Sequence, residues 1–215
     1  LGISIKNREY NIIWSSRCVI KGVGDELKNS NLSFYDSDIW GAVAGGIRGL
    51  IPEGYTIYGE IVGFTPTGSP IQKGYHYGCK SEQHRLYVYR VTQTNSQGEV
   101  IELTFPQMQE FCRLKGLEPV PLIYYGLAGH YPVPGLTEEV WKSTFLESLE
   151  KYVEKLGMCG RNDKKVPAEG IVIRVDRWLN QCESFKLKSF AFLSHETKEL
   201  DKGELDMETE ESLNQ

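Results

Sequence analysis

The sequence predicts an α+β domain with largely antiparallel sheets around a central cleft, and three observations predict it. Several short segments alternate apolar and polar residues with the period of two that a strand requires. Between them lie two stretches with a helical period, Pro106–Lys115 and Leu136–Leu156. Three of the strand-like segments, YGEIVG with Glu60, EGIVIRV with Glu169 and FKLKSF with Lys186 and Lys188, also carry charges among apolar neighbours. A charge on a half-buried strand costs free energy unless it meets a partner or a ligand.

The elements follow in order. Ile3–Trp14 alternates loosely and predicts a hairpin with Lys6–Tyr10 near its turn. Ser37–Leu50 predicts a short helix, whose small residues Ala42, Ala44, Gly45 and Gly46 are expected to allow close packing on a sheet. Thr56–Val62 is a strand with Tyr58, Glu60 and Val62 on one face and Ile57 and Ile61 on the other. Phe64–Gly78 is a long loop punctuated by Gly and Pro, of a length that is often functional. Leu86–Thr92 and Val100–Thr104 flank an NSQG turn. Pro106–Lys115 has Pro at its first helical position and Gly116 just past its end. In Leu136–Leu156 the residues Phe145, Leu146, Leu149, Tyr152, Val153 and Leu156 form one apolar stripe, stopped by Gly157. The strands bearing Glu169 and Lys186 come last.

A chain of 215 residues with 40% hydrophobic and 25% charged residues suits one soluble mixed domain. No apolar run approaches the roughly 18 residues of a membrane span, so a membrane partner is not expected. The five cysteines are odd in number and lack C-x-x-C spacing, which predicts free thiols rather than a zinc site or disulfides. His76, His84, His130 and His195 show no ligand spacing and are expected on the surface or in loops. The net charge of −5 is concentrated at the end of the chain: seven acids and two lysines between Lys198 and Gln215 account for it. The rest is near neutral, which leaves room for a locally basic groove.

Two carboxylates and two amines on three such strands are what a nucleoside triphosphate and a divalent metal need. At these residues the chain resembles the covalent nucleotidyltransferases, the ATP-dependent RNA and DNA ligases and the mRNA capping enzymes. An arginine segment, WSSRCVIKG with Arg17, is followed by the G-E-h-h-G strand of Gly59–Gly63 and the aromatic strand LYVYRV. The E-G-h-V-h-R strand Glu169–Arg174 and the K-x-K strand Lys186–Lys188 complete the order. The resemblance covers residues 1–193, the expected nucleotidyltransferase core with an ATP-grasp-like adenylation fold. Residues 194–215 are the expected acidic C-terminal segment. The family's KxDG element, whose lysine attacks the nucleotide α-phosphate, occurs nowhere in the chain, so the nucleophile is expected immediately upstream of Leu1. Lys6 is the nearest lysine, but KNRE lacks the Asp-Gly turn.

The resemblance implies roles for particular residues. Glu60 would contact the ribose and help organise metal, and Glu169 would coordinate Mg²⁺ or Mn²⁺. Lys186 and Lys188 would neutralise the α-phosphate; the alternative is an edge strand on which lysines discourage aggregation. Arg17 would reach nucleotide or nucleic-acid phosphates, against a surface salt bridge. Tyr89 would stack on adenine, with Tyr87 on the same face and a core role open for either. Arg90 stands where ligases often carry Asp.

The chain resembles the phage-type RNA ligases, because the K-x-K strand runs into the helical-looking FAFLSHETKELDKGE rather than the strands of an OB-fold. The loop TPTGSPIQKGYHYGC is similar to theirs. The implied activity joins RNA 5′-phosphate and 3′-hydroxyl ends at the expense of ATP, through lysyl-AMP and RNA-adenylate. Such a protein is expected to be a monomer in the cytoplasm, that of the host if phage-encoded. The alternatives are a DNA ligase or mRNA guanylyltransferase core, and a catalytically dead nucleic-acid-binding relative.

Overall fold

Alternation along the first half of the chain builds one sheet with two unlike faces. In the computed structural model, which describes residues 1–8, 11–17, 19–24, 26–27, 37–130, 138–157, 166–177 and 182–201, the elements are mixed α and β as expected. Strands β1 (Gly2–Arg8) and β2 (Asn11–Ser15) form the predicted hairpin, in register from Ser4 opposite Ser15 to Arg8 opposite Asn11. β3 (Ile20–Val23) and β4 (Glu26–Leu27) extend it on one side. On the other side come β5 (Tyr55–Gly63), β6 (His84–Thr94) and β7 (Val100–Glu102), all antiparallel, and β8 (Glu118–Pro119) joins β6 in parallel. The order across the sheet is β4-β3-β2-β1-β5-β6-β7.

One face of this sheet is the core. Ile3, Ile5, Trp14, Ile57, Ile61 and Val88 are buried in a single cluster with residues of two helices. α1 (Ile39–Ile47) contributes Ile39, Trp40, Val43 and Ala44, and α2 (Phe105–Lys115) contributes Phe105, Met108, Phe111 and Cys112. Both helices start where their sequences provide caps. Asp38 accepts from the Gly41 N–H at 3.0 Å, and Thr104 with Gln107 forms a capping box. α2 ends on Gly116 in the left-handed region, as its sequence predicts. The small residues of α1 do not make its packing face as expected. Ala42, Gly45 and Gly46 are exposed, and the contact is carried by large side chains and Ala44.

The chain divides into two compact units, one of Leu1–Val120 with Val175–Glu183 and the other of Pro121–Arg174 with Ser184–Glu204. In the second, α3 (Glu138–Lys155) buries Leu149 and Val153. Leu146, predicted to belong to the same stripe, is 61% exposed, so the buried stripe is narrower than the apolar one. β9 (Gly170–Val175) and β10 (Glu183–Lys188) form a two-stranded sheet, and α4 (Phe190–Asp201) follows. The boundary expected at residues 193 and 194 falls inside α4. No helix among the described residues is long and apolar enough to cross a membrane.

Because Ile57 is 1% exposed at the middle of the sheet, Ile57→Ala should lower unfolding free energy by about 2–5 kcal/mol. Leu146→Ala should change it by less than about 0.5 kcal/mol. Urea denaturation followed by circular dichroism distinguishes the two, and equal losses would contradict the packing described.

Candidate functional site

In the first unit the site grows from β5. Ile57 and Ile61 enter the core, so Glu60, between them in alternation, lies on the opposite face and is exposed. Its motif glycines have separate reasons. A Cβ on Gly59 would meet Leu86 Cδ1 at 2.5 Å and the Tyr87 carbonyl oxygen at 2.9 Å, and Gly63 adopts φ +102° against the Gln83 carbonyl. The Ile61 N–H donates to the Leu1 carbonyl at 2.8 Å and Gly2 stands opposite Glu60, so the ladder holds the start of β1 beside Glu60. Across β6, Tyr87 stands opposite Glu60.

Between Tyr58 and Gly59 the register with β6 slips: Tyr58 faces Arg90 while Gly59 faces Val88, leaving Tyr89 as the extra residue of a β-bulge. Val88 and Val91, three positions apart, can then both enter the core. Tyr89 is 40% exposed, whereas Tyr87 is buried with Val62 and Cys79 in a small separate cluster. The two tyrosines that share a face in the sequence therefore differ in access. Arg90 lies over the Tyr58 ring, 4.8 Å from its centre, and pairs with the buried carboxylate of Glu102 at 2.9 Å. Arg17 is exposed in the turn between β2 and β3, which the Ser16 N–H closes by donating to the Val19 carbonyl at 2.9 Å.

The long loop after β5 is closed on itself. Thr65 is fully buried and its hydroxyl accepts from the Ser69 N–H at 3.0 Å, and Ile71 and Tyr75 are also buried, Ile71 in the core cluster. His76 stacks on Phe64 within it. His84, expected on the surface or in a loop, instead begins β6, and burial holds its imidazole below the ordinary pKa. Burial likewise pushes the Cys112 thiol up to about 11 and raises that of Cys79, against the pull of Arg85. Cys79, Cys112 and Cys182 are free thiols, and Cys18 and Cys159 lie outside the described residues.

The second unit holds the remaining charges. Glu169 immediately precedes β9, and the Lys186 ammonium of β10 pairs with its carboxylate at 2.5 Å. Lys188 Nζ stands 3.1 Å from both carboxylate oxygens of Glu196 on α4. Gly170 separates Glu169 from the apolar part of the strand with φ +149°, and a Cβ there would run into the Leu187 carbonyl and Lys188 Cα. Only glycine lets β9 pass this close to β10. Ser189 ties the arrangement together. Its N–H donates to the Glu169 carbonyl and its hydroxyl to the Ala168 carbonyl, each at 2.8 Å, while the same hydroxyl accepts from Phe192 N–H at the start of α4.

Glu169, Lys186 and Lys188 are thus brought together in the second unit; Glu60, Tyr89 and Arg17 belong to the first. Sequence reasoning missed Ser189 and Glu196. A serine directly before the helical-looking run FAFL was the available sign of a cap. Asp176 was also missed: its carboxylate accepts from the Phe105 N–H at 2.7 Å, at the start of α2. Among the described residues no group of three or more His, Cys, Asp or Glu side chains could hold a metal by itself.

A family model described as RNA ligase matches residues 20–189, well over half of the 215-residue chain. The chain belongs to the RNA ligase family. No curated protein matches it.

The Gly170 contact gives a direct check. Gly170→Ala should destabilise the second unit by about 1–3 kcal/mol as the two strands are forced apart. Glu169 and Lys188 flank the clash, so hydrogen exchange at the Ser189 amide should accelerate. Unchanged protection there would show that the close strand approach is not what holds Glu169.

Proposed function

We propose that this RNA ligase family member is an ATP-dependent, phage-type enzyme with a nucleotidyltransferase core, sealing RNA 5′-phosphate to 3′-hydroxyl ends. The observation that carries this reading is the joint of β9, β10 and α4. There two lysines of β10 and the carboxylate preceding β9 stand on segments tied by the Ser189–Glu169 backbone hydrogen bond, inside a chain matched to the family across residues 20–189.

In the proposed mechanism a lysine amine attacks the α-phosphorus of ATP and displaces pyrophosphate. An oxygen of the RNA 5′-phosphate then attacks the AMP phosphorus and displaces the lysine. The 3′-hydroxyl oxygen finally attacks the phosphorus of the RNA 5′-phosphate and releases AMP. No KxDG element occurs in these 215 residues, and Lys186, Lys188, Arg17 and Tyr89 act on the phosphates and the base. Lys186 and Lys188 neutralise oxygens that gain charge as each bond forms. Arg17 offers a planar fork to a phosphate. Tyr89, exposed on its bulge, stacks on adenine, a role for which buried Tyr87 is badly placed.

The donor set also bears on metal. Separate carboxylates such as Glu60 and Glu169, with no cluster of three among the described residues, fit a hydrated hard cation held mainly by water and phosphate oxygens. Glu169 and, separately, Glu60 are carboxylates that we assign to Mg²⁺ or Mn²⁺ ions, which when bound would supply charge neutralisation at the phosphates.

The test uses pre-adenylylated RNA, which bypasses the lysine step. Glu169→Ala should reduce metal-dependent sealing by roughly 10²–10³ while leaving the circular dichroism spectrum intact. Near-normal sealing by that variant at any Mg²⁺ concentration would sink the assignment. Base stacking is tested separately by ATP titration. Tyr89→Ala should weaken binding by ~1–3 kcal/mol and Tyr89→Phe only slightly. Weakening by Tyr87→Ala with none from Tyr89→Ala would transfer the role to the buried tyrosine.

A further inference from the structure

Lys188 closes β10, and its ammonium already has a defined address. Both oxygens of Glu196 lie 3.1 Å from Nζ, and Nζ sits 4.9 Å from the centre of the Phe192 ring. Phe192 and Glu196 are four residues apart and share one face of α4. That face is fixed in turn. Phe192 is 6% exposed, and its N–H is capped by Ser189, whose own N–H holds the Glu169 backbone. The helix therefore presents a ring and a carboxylate to the lysine from a rigid base.

A lysine carries a compact charge on a flexible four-carbon stem, and ordering it on a ligand costs rotamer entropy. A carboxylate that accepts with both oxygens and a ring beneath the ammonium remove much of that cost in advance. The side chains of Lys188 and Glu196 remain 29% and 38% exposed. A pair this wet adds little stability, and the lysine side chain keeps solvent-exposed surface that a phosphate can approach.

We infer that Glu196 is a positioning residue for ligation, aiming Lys188 at the RNA 5′-phosphate attacked in the sealing step. The inference rests on the reading of Lys188 as a phosphate contact. Glu196 itself touches no substrate; it acts through Lys188.

Single-turnover sealing of pre-adenylylated RNA with Mg²⁺ tests it. Glu196→Ala should slow the step about tenfold, and Glu196→Gln, which keeps an acceptor oxygen, should recover most of the rate. In a Lys188→Ala background, Glu196→Ala should add less than about twofold, since an interaction that works through a single partner is not additive. A purely structural role would slow both backgrounds alike, lower the melting temperature in step, and overturn the inference. Wild-type sealing by Glu196→Ala beside an impaired Lys188→Ala would overturn it while sparing the phosphate role of Lys188. Faster sealing by Glu196→Ala would do the same, by showing that the carboxylate competes with substrate. Wild-type sealing by Lys188→Ala would fell the phosphate role and the inference with it.

Discussion

The first unit depends on β5 being hydrogen-bonded on both sides, to β1 along one edge and to β6 along the other. A strand so placed cannot shift by one residue without exchanging its faces. Ile57 and Ile61 must remain in the core with the helices, and that keeps Glu60 on the opposite, polar face. The exposure of this carboxylate is therefore a consequence of burying its neighbours. Gly59 and Gly63 serve the same constraint by letting neighbouring backbone come closer than a side chain would allow.

The bulge at Tyr89 is the second device that shapes that face. An uninterrupted period of two would send either Val88 or Val91 out of the core. One extra residue lets both in, and it leaves Tyr89 exposed beside Arg90, whose guanidinium rests on Tyr58 and pairs with Glu102. Bulges gather where a side chain has to be re-aimed, and here the re-aimed residue is an aromatic on the face that carries Glu60. Arg90, at a position where ligases often carry Asp, has found a local partner in Glu102.

In the second unit backbone hydrogen bonds fix the strands and the helix, and the ion pairs add little to stability. Glu169–Lys186 and Lys188–Glu196 are each partly exposed, and pairs of that kind contribute at most about 1 kcal/mol. The approach of β9 to β10 at Gly170 and the three bonds of Ser189 set where the charges stand. A modest change of charge at the surface can then alter binding or rate while the unit stays folded.

Much of this was legible in the chain itself. The strands carrying Glu60, Glu169 and the two lysines, the capping of α2 and its stop at Gly116 all follow from local pattern, because alternation, caps and left-handed glycines are short-range effects. Leu146, Ala42, Gly45 and Gly46 were misplaced because periodicity reports a helix's apolar or small side chains, and not how wide a neighbouring surface is available to cover them. The difference between Tyr87 and Tyr89 was invisible for a related reason: a bulge is set by pairing with another strand and leaves no mark on its own strand's composition. By itself the sequence determined which residue types stand on which strands. Only the tertiary structure decided that Lys186 meets Glu169 and Lys188 meets Glu196, since those partners are chosen by backbone contacts between segments that the period of neither segment encodes.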